Sequence, residues 1–159
     1  MMAQNELESS GKVLVIDDDE YIVEVISMSL EVIGNFQVFV ATTGVEGLEV
    51  CAEVHPDVVV IDVGMPQLDG YHVVRALRGD PATAMLPIVM VSARAEQRDK
   101  MVGLMSGADF YLTKPVNPYT LVQAIKNASQ LNQQQRHARL NVLTEWEPNT
   151  STIDSRFEP

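Results

Sequence analysis

Five short runs rich in β-branched and aromatic residues alternate with five stretches of helical periodicity, which predicts an α/β chain. The expected form is a (βα)5 doubly wound parallel sheet with helices on both faces. Two further observations support it. Runs such as Val58-Val59-Val60-Ile61 are continuously apolar, as strands covered on both faces must be. The length of 159 residues fits one domain of about 100–150 residues with an appendage.

Each element has its own signal. Val13-Leu14-Val15-Ile16 is a β-branched run ending in acids. Tyr21, Ile22, Val25, Ile26, Ser29, Leu30 and Ile33 recur at helical spacing and stop at Gly34, read as a C-cap. Phe36 to Val40 is the second strand, and Thr43-Gly44 opens a helix carrying Val45, Leu48, Cys51 and Ala52. Val58 to Ile61 is the third strand, followed by Asp62. Asp69 can cap a helix through Val73, Val74 and Leu77, closed by the breaker Gly79-Asp80-Pro81. Ile88 to Val91 is the fourth strand, with a helix near 95–105. Phe110-Tyr111-Leu112 is the fifth, and Asn117-Pro118 starts the last helix as a cap with proline at the first helical position. That helix buries Leu121, Val122, Ile125, Ala128 and Leu131.

Composition excludes several classes. A hydrophobic content of 46% rules out wholesale disorder, and no run approaches the roughly 20 apolar residues of a membrane span. The first residues, MMAQNELESSGK, lack a basic n-region and an apolar core, so no secretory leader is read there. A single cysteine, Cys51, forbids an internal disulfide and suits a cytoplasmic location. The formal net charge is −11, and residues 1–132 carry 18 of the acids against 8 basic groups. Direct nucleic-acid binding is therefore not expected, since phosphate contacts need clustered Lys and Arg. Cations, phosphates held through a cation, or basic partner surfaces fit better.

Ligands of open α/β sheets bind outside the carboxyl ends of the strands. There the sequence puts Asp17-Asp18-Asp19 after strand one, Asp62 after strand three, Ser92 after strand four and Lys114 after strand five. Crowded carboxylates repel unless something compensates them, and Mg²⁺ with a few carboxylates and several waters is the natural candidate. A carboxylate beside Mg²⁺ with a lysine opposite also seats a transferred phosphoryl group.

The motifs VLVIDDDE, VVVIDVGMPQLDG, VMVSA and YLTKP agree in order and spacing with one family. From about Gly11 to Leu131 the chain resembles the receiver domains of two-component response regulators, either of the stand-alone type or cut from a larger protein. That resemblance implies a flavodoxin-like strand order, 2-1-3-4-5. It implies Asp62 as phosphoacceptor in the pattern D-x-x-M-P-x-x-D-G, with Asp18 a direct Mg²⁺ ligand and Asp17 acting through water. Gly64 would add its backbone carbonyl to the metal, Ser92 and Tyr111 would form a switch, and Lys114 would steady the phosphoryl group. Lys114-Pro115 would be a cis bond. The implied partners are a histidine kinase or phosphotransfer protein, and a downstream protein or a second copy bound to the surface of helix four, strand five and helix five. Gly64 and Arg94, two positions after Asp62 and Ser92, would tune the lifetime of the acyl phosphate. Residues 1–10 would be a flexible N-terminus, 11–132 the receiver and 133–159 an extension too short for an output domain. Such a domain would catalyse chemistry on itself without turning over a free metabolite.

Two other readings stay open. Asp17-x-Asp19 after a hydrophobic strand superficially fits a Mg²⁺-dependent phosphatase with an Asp nucleophile, although Tyr21 stands where that family has Thr or Val. A constitutive, unphosphorylated scaffold is the other, with no need to retain these acids. Several residues have plainer roles: Asp19 or Asp18 as a helix cap, Asp69 as a cap, and Asp57 and Asp109 as turn residues. Tyr111 reads equally as a core-edge aromatic, Cys51 as a small core residue, and His55, His72 and His137 as solvated. After the last helix, Leu140, Leu143 and Trp146 resume a three-residue spacing. Either the helix continues and frays, or a short amphipathic segment packs on the body or on a second copy.

Overall fold

The computed structural model describes residues 9–136 and 138. Its elements run β1 (Lys12–Ile16), α1 (Glu20–Gly34), β2 (Gln37–Ala41), α2 (Gly44–Val54), β3 (Val58–Asp62), α3 (Gly70–Gly79), β4 (Ile88–Ser92), α4 (Gln97–Ser106), β5 (Phe110–Thr113) and α5 (Pro118–Gln130). All strand pairings are parallel and the order is β2-β1-β3-β4-β5, the flavodoxin-like arrangement expected. Every residue of β3 and β4 is buried, which is why those runs carry no polar alternation. Two apolar layers result. Val13, Val15, Val58, Val60, Val89 and Val91 face Leu30 of α1 and Leu121 and Ile125 of α5. Leu14, Ile16, Val59, Ile61, Ile88 and Met90 face Cys51 of α2 and Val73, Val74 and Leu77 of α3.

The helices depart from the expected faces in three places. In α1 the buried stripe is Val23 and Leu30 with Ile26 and Ile33 beside them, whereas Tyr21 and Val25 point outward at 71% and 43% exposure. The sequence offers two apolar stripes, and only one can meet the sheet. Gly34 is the last helical residue rather than the cap. Asn35 takes the left-handed conformation at φ 54° and donates its N–H to the Leu30 carbonyl. Gly34 is needed for another reason, since a Cβ there would lie 2.4 Å from the Phe36 ring. In α2 the contact is made by Gly44, Gly47 and Cys51, while Val45 and Ala52 are exposed. A Cβ on Gly47 would lie 2.4 Å from Ile16 Cδ1, so α2 reaches the sheet by omitting side chains. Burial also pushes the Cys51 thiol up, leaving it an inert core group.

The last helix does not run on. It ends at Gln130, and Asn132 caps a new turn over 133–136 in a reciprocal box with Gln135, whose N–H donates to Asn132 Oδ1 (2.8 Å) while Asn132 N–H donates to Gln135 Oε1 (3.0 Å). Arg136 then turns back onto the body. Its Nε donates to Asp109 Oδ1 (2.8 Å) and its guanidinium to the Met85 carbonyl (2.7 Å). The readings of His137, Leu140, Leu143 and Trp146 lie outside the described residues. So does most of the 1–10 terminus, although Ser10 N–H donates to the Asn35 carbonyl (2.8 Å).

Asp109 lies in the bend just before β5, the turn position expected of it, but its side chain is buried, at 6% exposure, and holds more than the turn. Its carboxylate accepts from Ile88 N–H (2.8 Å), Arg78 (3.3 Å) and Arg136 (2.8 Å). Arg78 adds bonds to the Gly107, Ala84 and Leu86 carbonyls, so one acid ties the ends of α3, α4 and the 133–136 turn to β4 and β5. Two guanidiniums with a single shared counter-ion cannot lose it cheaply. Asp109→Ala is expected to cost about 3–5 kcal/mol, read as a lowered midpoint in urea unfolding. A change below about 1 kcal/mol, the worth of an exposed pair, would contradict this.

Candidate functional site

The parallel register brings four strand ends to one level. Ile16 pairs with Ile61, so the next residues along, Asp17 and Asp62, emerge side by side. Asp62 pairs with Val91, and Ser92 with Thr113, so Ser92 and Lys114 flank them from β4 and the end of β5. The Lys114 N–H donates to the Ser92 carbonyl (2.8 Å), which fixes where its side chain starts. The Lys114-Pro115 bond is cis, as the resemblance implied.

The side chains converge. Lys114 Nζ lies 2.9 Å from Asp17 Oδ2 and 3.1 Å from Asp62 Oδ1. Asp17, Asp18 and Asp62 each bring a carboxylate oxygen within 4.8 Å of the others. Asp17 and Asp62 are buried, whereas Asp18 is open to solvent. One ammonium against three carboxylates leaves two negative charges uncompensated. The imbalance is felt at Asp62, whose carboxyl is pushed above its ordinary value by burial first and by Asp17 second, with Lys114 opposing. Lys114 goes the other way. Burial pulls it down, but its hydrogen bond to Asp17 and the charges of Asp62 and Asp17 outweigh that and hold it above its usual value. The donor set is all oxygen, two charges short of neutral and open on the Asp18 side, and it fits a hard divalent cation.

The loop after β3 has a steric logic. Met65 is buried, and Asp69 caps α3 by accepting from His72 N–H (3.0 Å). Asp69 also meets the His72 ring at 2.7 Å, so His72 is exposed but partnered. A Cβ on Gly70 would sit 2.3 Å from the Asp62 carbonyl oxygen, so only glycine lets α3 start against the backbone of Asp62 and Val63. Gly64 is exposed, and a Cβ there would meet nothing within 4 Å. Asp19 caps α1, accepting from Tyr21 and Ile22 N–H, and its own N–H donates to Asp17 Oδ1 (3.0 Å). Of the three consecutive acids, one is thus a cap, one pairs with Lys114 and one faces solvent.

Ser92 and Tyr111 meet at Arg94. Ser92 Oγ accepts from the Arg94 N–H (3.1 Å), and the Tyr111 hydroxyl donates to the Arg94 carbonyl (2.9 Å). Arg94 is tied in through its backbone, while its residue surface is exposed. The Tyr111 ring is seated against Gly103 of α4, where a Cβ would lie 2.5 Å from it. Tyr71, which the sequence did not single out, joins this group. Its hydroxyl, pushed up to about 12 by burial and then by Tyr111, donates to the Asp99 carbonyl (3.4 Å). No fixed spacing in the chain pointed to that residue.

Because its carboxyl is raised on folding, Asp62 penalises the folded state progressively as pH rises from the ordinary carboxylate range through its own higher value. In chelator at neutral pH, Asp62→Asn is therefore expected to melt above the wild type, the gap closing once the medium is acid enough to protonate Asp62 in both states. A lower midpoint for the variant at neutral pH would reject the repulsion.

The model of the response regulator receiver domain matches residues 13–126. Among curated proteins, the DNA-binding dual master transcriptional regulator RpaA of Synechocystis is 36% identical over 115 residues, 72% of this chain and 47% of that protein. The alkaline phosphatase synthesis transcriptional regulatory protein PhoP of Bacillus subtilis is 41% identical over 115 residues, again 72% and 47%. The chain spans about half the length of these relatives. A response regulator of Chloroflexus aurantiacus superposes with TM-score 0.73 at 33% identity, covering 76% of this chain and 98% of that one. Chemotaxis protein CheY4 of Vibrio cholerae superposes with TM-score 0.69 at 32% identity, covering 74% and 97%. The motifs, the strand order and these matches agree, and the chain belongs to the receiver domain family of two-component response regulators.

Proposed function

We propose that the chain is the phosphoacceptor of a two-component relay, taking a phosphoryl group from the phosphohistidine of a kinase or phosphotransfer protein onto Asp62. The observation that carries this is a buried carboxylate 3.1 Å from an ammonium and within 4.8 Å of two further acids. An Asp62 carboxylate oxygen attacks phosphorus, the P–N bond breaks, and the imidazole of the donor keeps the electron pair. Lys114, already paired with Asp62, stays beside the new dianion and orients the acyl phosphate. Asp17, Asp18, Asp62 and the Gly64 carbonyl would hold Mg²⁺, which when bound neutralises the surplus charge and polarises the phosphoryl oxygens. Water later hydrolyses the acyl phosphate through the mouth left open at Gly64 and Asp18.

The switch follows from charge. A phosphoryl group on Asp62 gives the Ser92 O–H a charged acceptor to donate to and draws the hydroxyl toward it, away from the Arg94 N–H from which its Oγ accepts. Drawing Ser92 away releases the Arg94 loop, to which Tyr111 is also tied, and alters the surface of α4, β5 and α5 where a partner or a second copy binds. The exposed stripe Tyr21, Val25, Met28 and Val32 on α1 starts beside Asp18 and Asp19 and supplies an apolar seat for the donor protein. The chain works in the cytoplasm as a signalling module and turns over no free metabolite. No helix among the described residues is long and apolar enough to cross a membrane.

Intact-mass analysis after incubation with a small phosphodonor and Mg²⁺ is expected to show one added phosphate in the wild type, none in Asp62→Asn and none in chelator. Equal labelling of Asp62→Asn would reject the acceptor. Steady phosphate release from a phosphomonoester would instead support a phosphatase. Lys114→Ala is expected to keep Mg²⁺ binding within about threefold, a difference of roughly 0.7 kcal/mol, yet to lose the effect of phosphorylation on partner binding. Normal coupling in that variant would contradict its role.

A further inference from the structure

A groove of about 450 Å³ runs along the edge of the sheet between β5 and α5. Phe110 and Asn127 line one end, Leu112 and Gln123 its middle, and Tyr119 and Thr120 the other end. The walls are mostly apolar, and Tyr119 is 70% exposed. The chain itself arrives at the Phe110 end. Arg136 is fixed to Asp109, the residue before Phe110, and also donates to the Ala128 carbonyl (3.4 Å), one residue beyond Asn127.

Beyond Arg136 the sequence turns apolar at regular spacing, with Leu140, Leu143 and Trp146 every third residue and Glu145 the one charged residue among 140–146. On a helix such positions share a face and span about 9 Å, against about 12 Å between Tyr119 and Asn127 along α5. Four residues from Arg136 to Leu140 bridge up to about 13 Å, enough to enter the groove. A segment tethered this closely acts at an effective concentration of about millimolar, ahead of a second copy or a partner in dilute solution.

We propose that residues Leu140 to Trp146 dock into the β5–α5 groove of their own chain, with Arg136 as the anchor. The docking stands independently of phosphoryl transfer to Asp62.

Trp146 is the sole tryptophan and reports directly. Its emission in the full chain is expected to be blue-shifted and shielded from acrylamide, with no dependence on protein concentration. Thr120→Arg with Gln123→Arg, both at exposed positions, and separately Leu143→Asp, are each expected to return the emission and quenching to those of a free indole. Circular dichroism of each variant is the control for folding. Three results would overturn the proposal: free-indole behaviour in the wild type, shielding untouched by the groove and Leu143 variants, or shielding lost on dilution, which would assign the contact to a second copy.

Discussion

The structure turns on a repulsion that is left standing. Three carboxylates share a space of 4.8 Å at the carboxyl ends of β1 and β3, and one lysine answers them. Isolated, such a cluster would shed its charge by taking up protons or open to water. It persists because the strands that carry it are buried along their length and held in parallel register. Asp17 and Asp62 cannot move apart without breaking the ladder between Ile16 and Ile61. Stability of the sheet thus maintains a site that is, by itself, electrostatically unfavourable, and its surplus negative charge fits a hard divalent cation.

Neighbouring parts serve that constraint. Gly70 lets α3 start against the Asp62 backbone, Asp69 caps it, and Gly103 makes room for the Tyr111 ring. Ser92 and Tyr111 both hydrogen-bond to the Arg94 backbone, so one loop joins the end of β4 to the edge of β5. At the opposite end of β5 the charges are arranged the other way. Asp109 is outnumbered by two arginines, every partner is satisfied, and the result is a fastening rather than a receptive site. The two networks, both buried and both ionic, differ in the sign of their imbalance and in whether it is met by surrounding carbonyls.

The sequence by itself determined the element order, the parallel sheet and the set of strand-end residues. Continuous β-branched runs such as Val58 to Ile61, alternating with helical stretches, read as strands covered on both faces, and residues that close such strands share one edge. The cap roles of Asp69 and Asn117 were legible because capping is local. The tertiary structure alone decided the features that depend on contacts distant in the chain. Asp109 meets Arg78 and Arg136 across 31 and 27 residues, and no spacing announces that. Which of two apolar stripes of α1 faces inward, and that α2 packs through Gly44 and Gly47, depend on the shape of the sheet beneath. Local chemistry is written in neighbours along the chain; packing is written in neighbours in space.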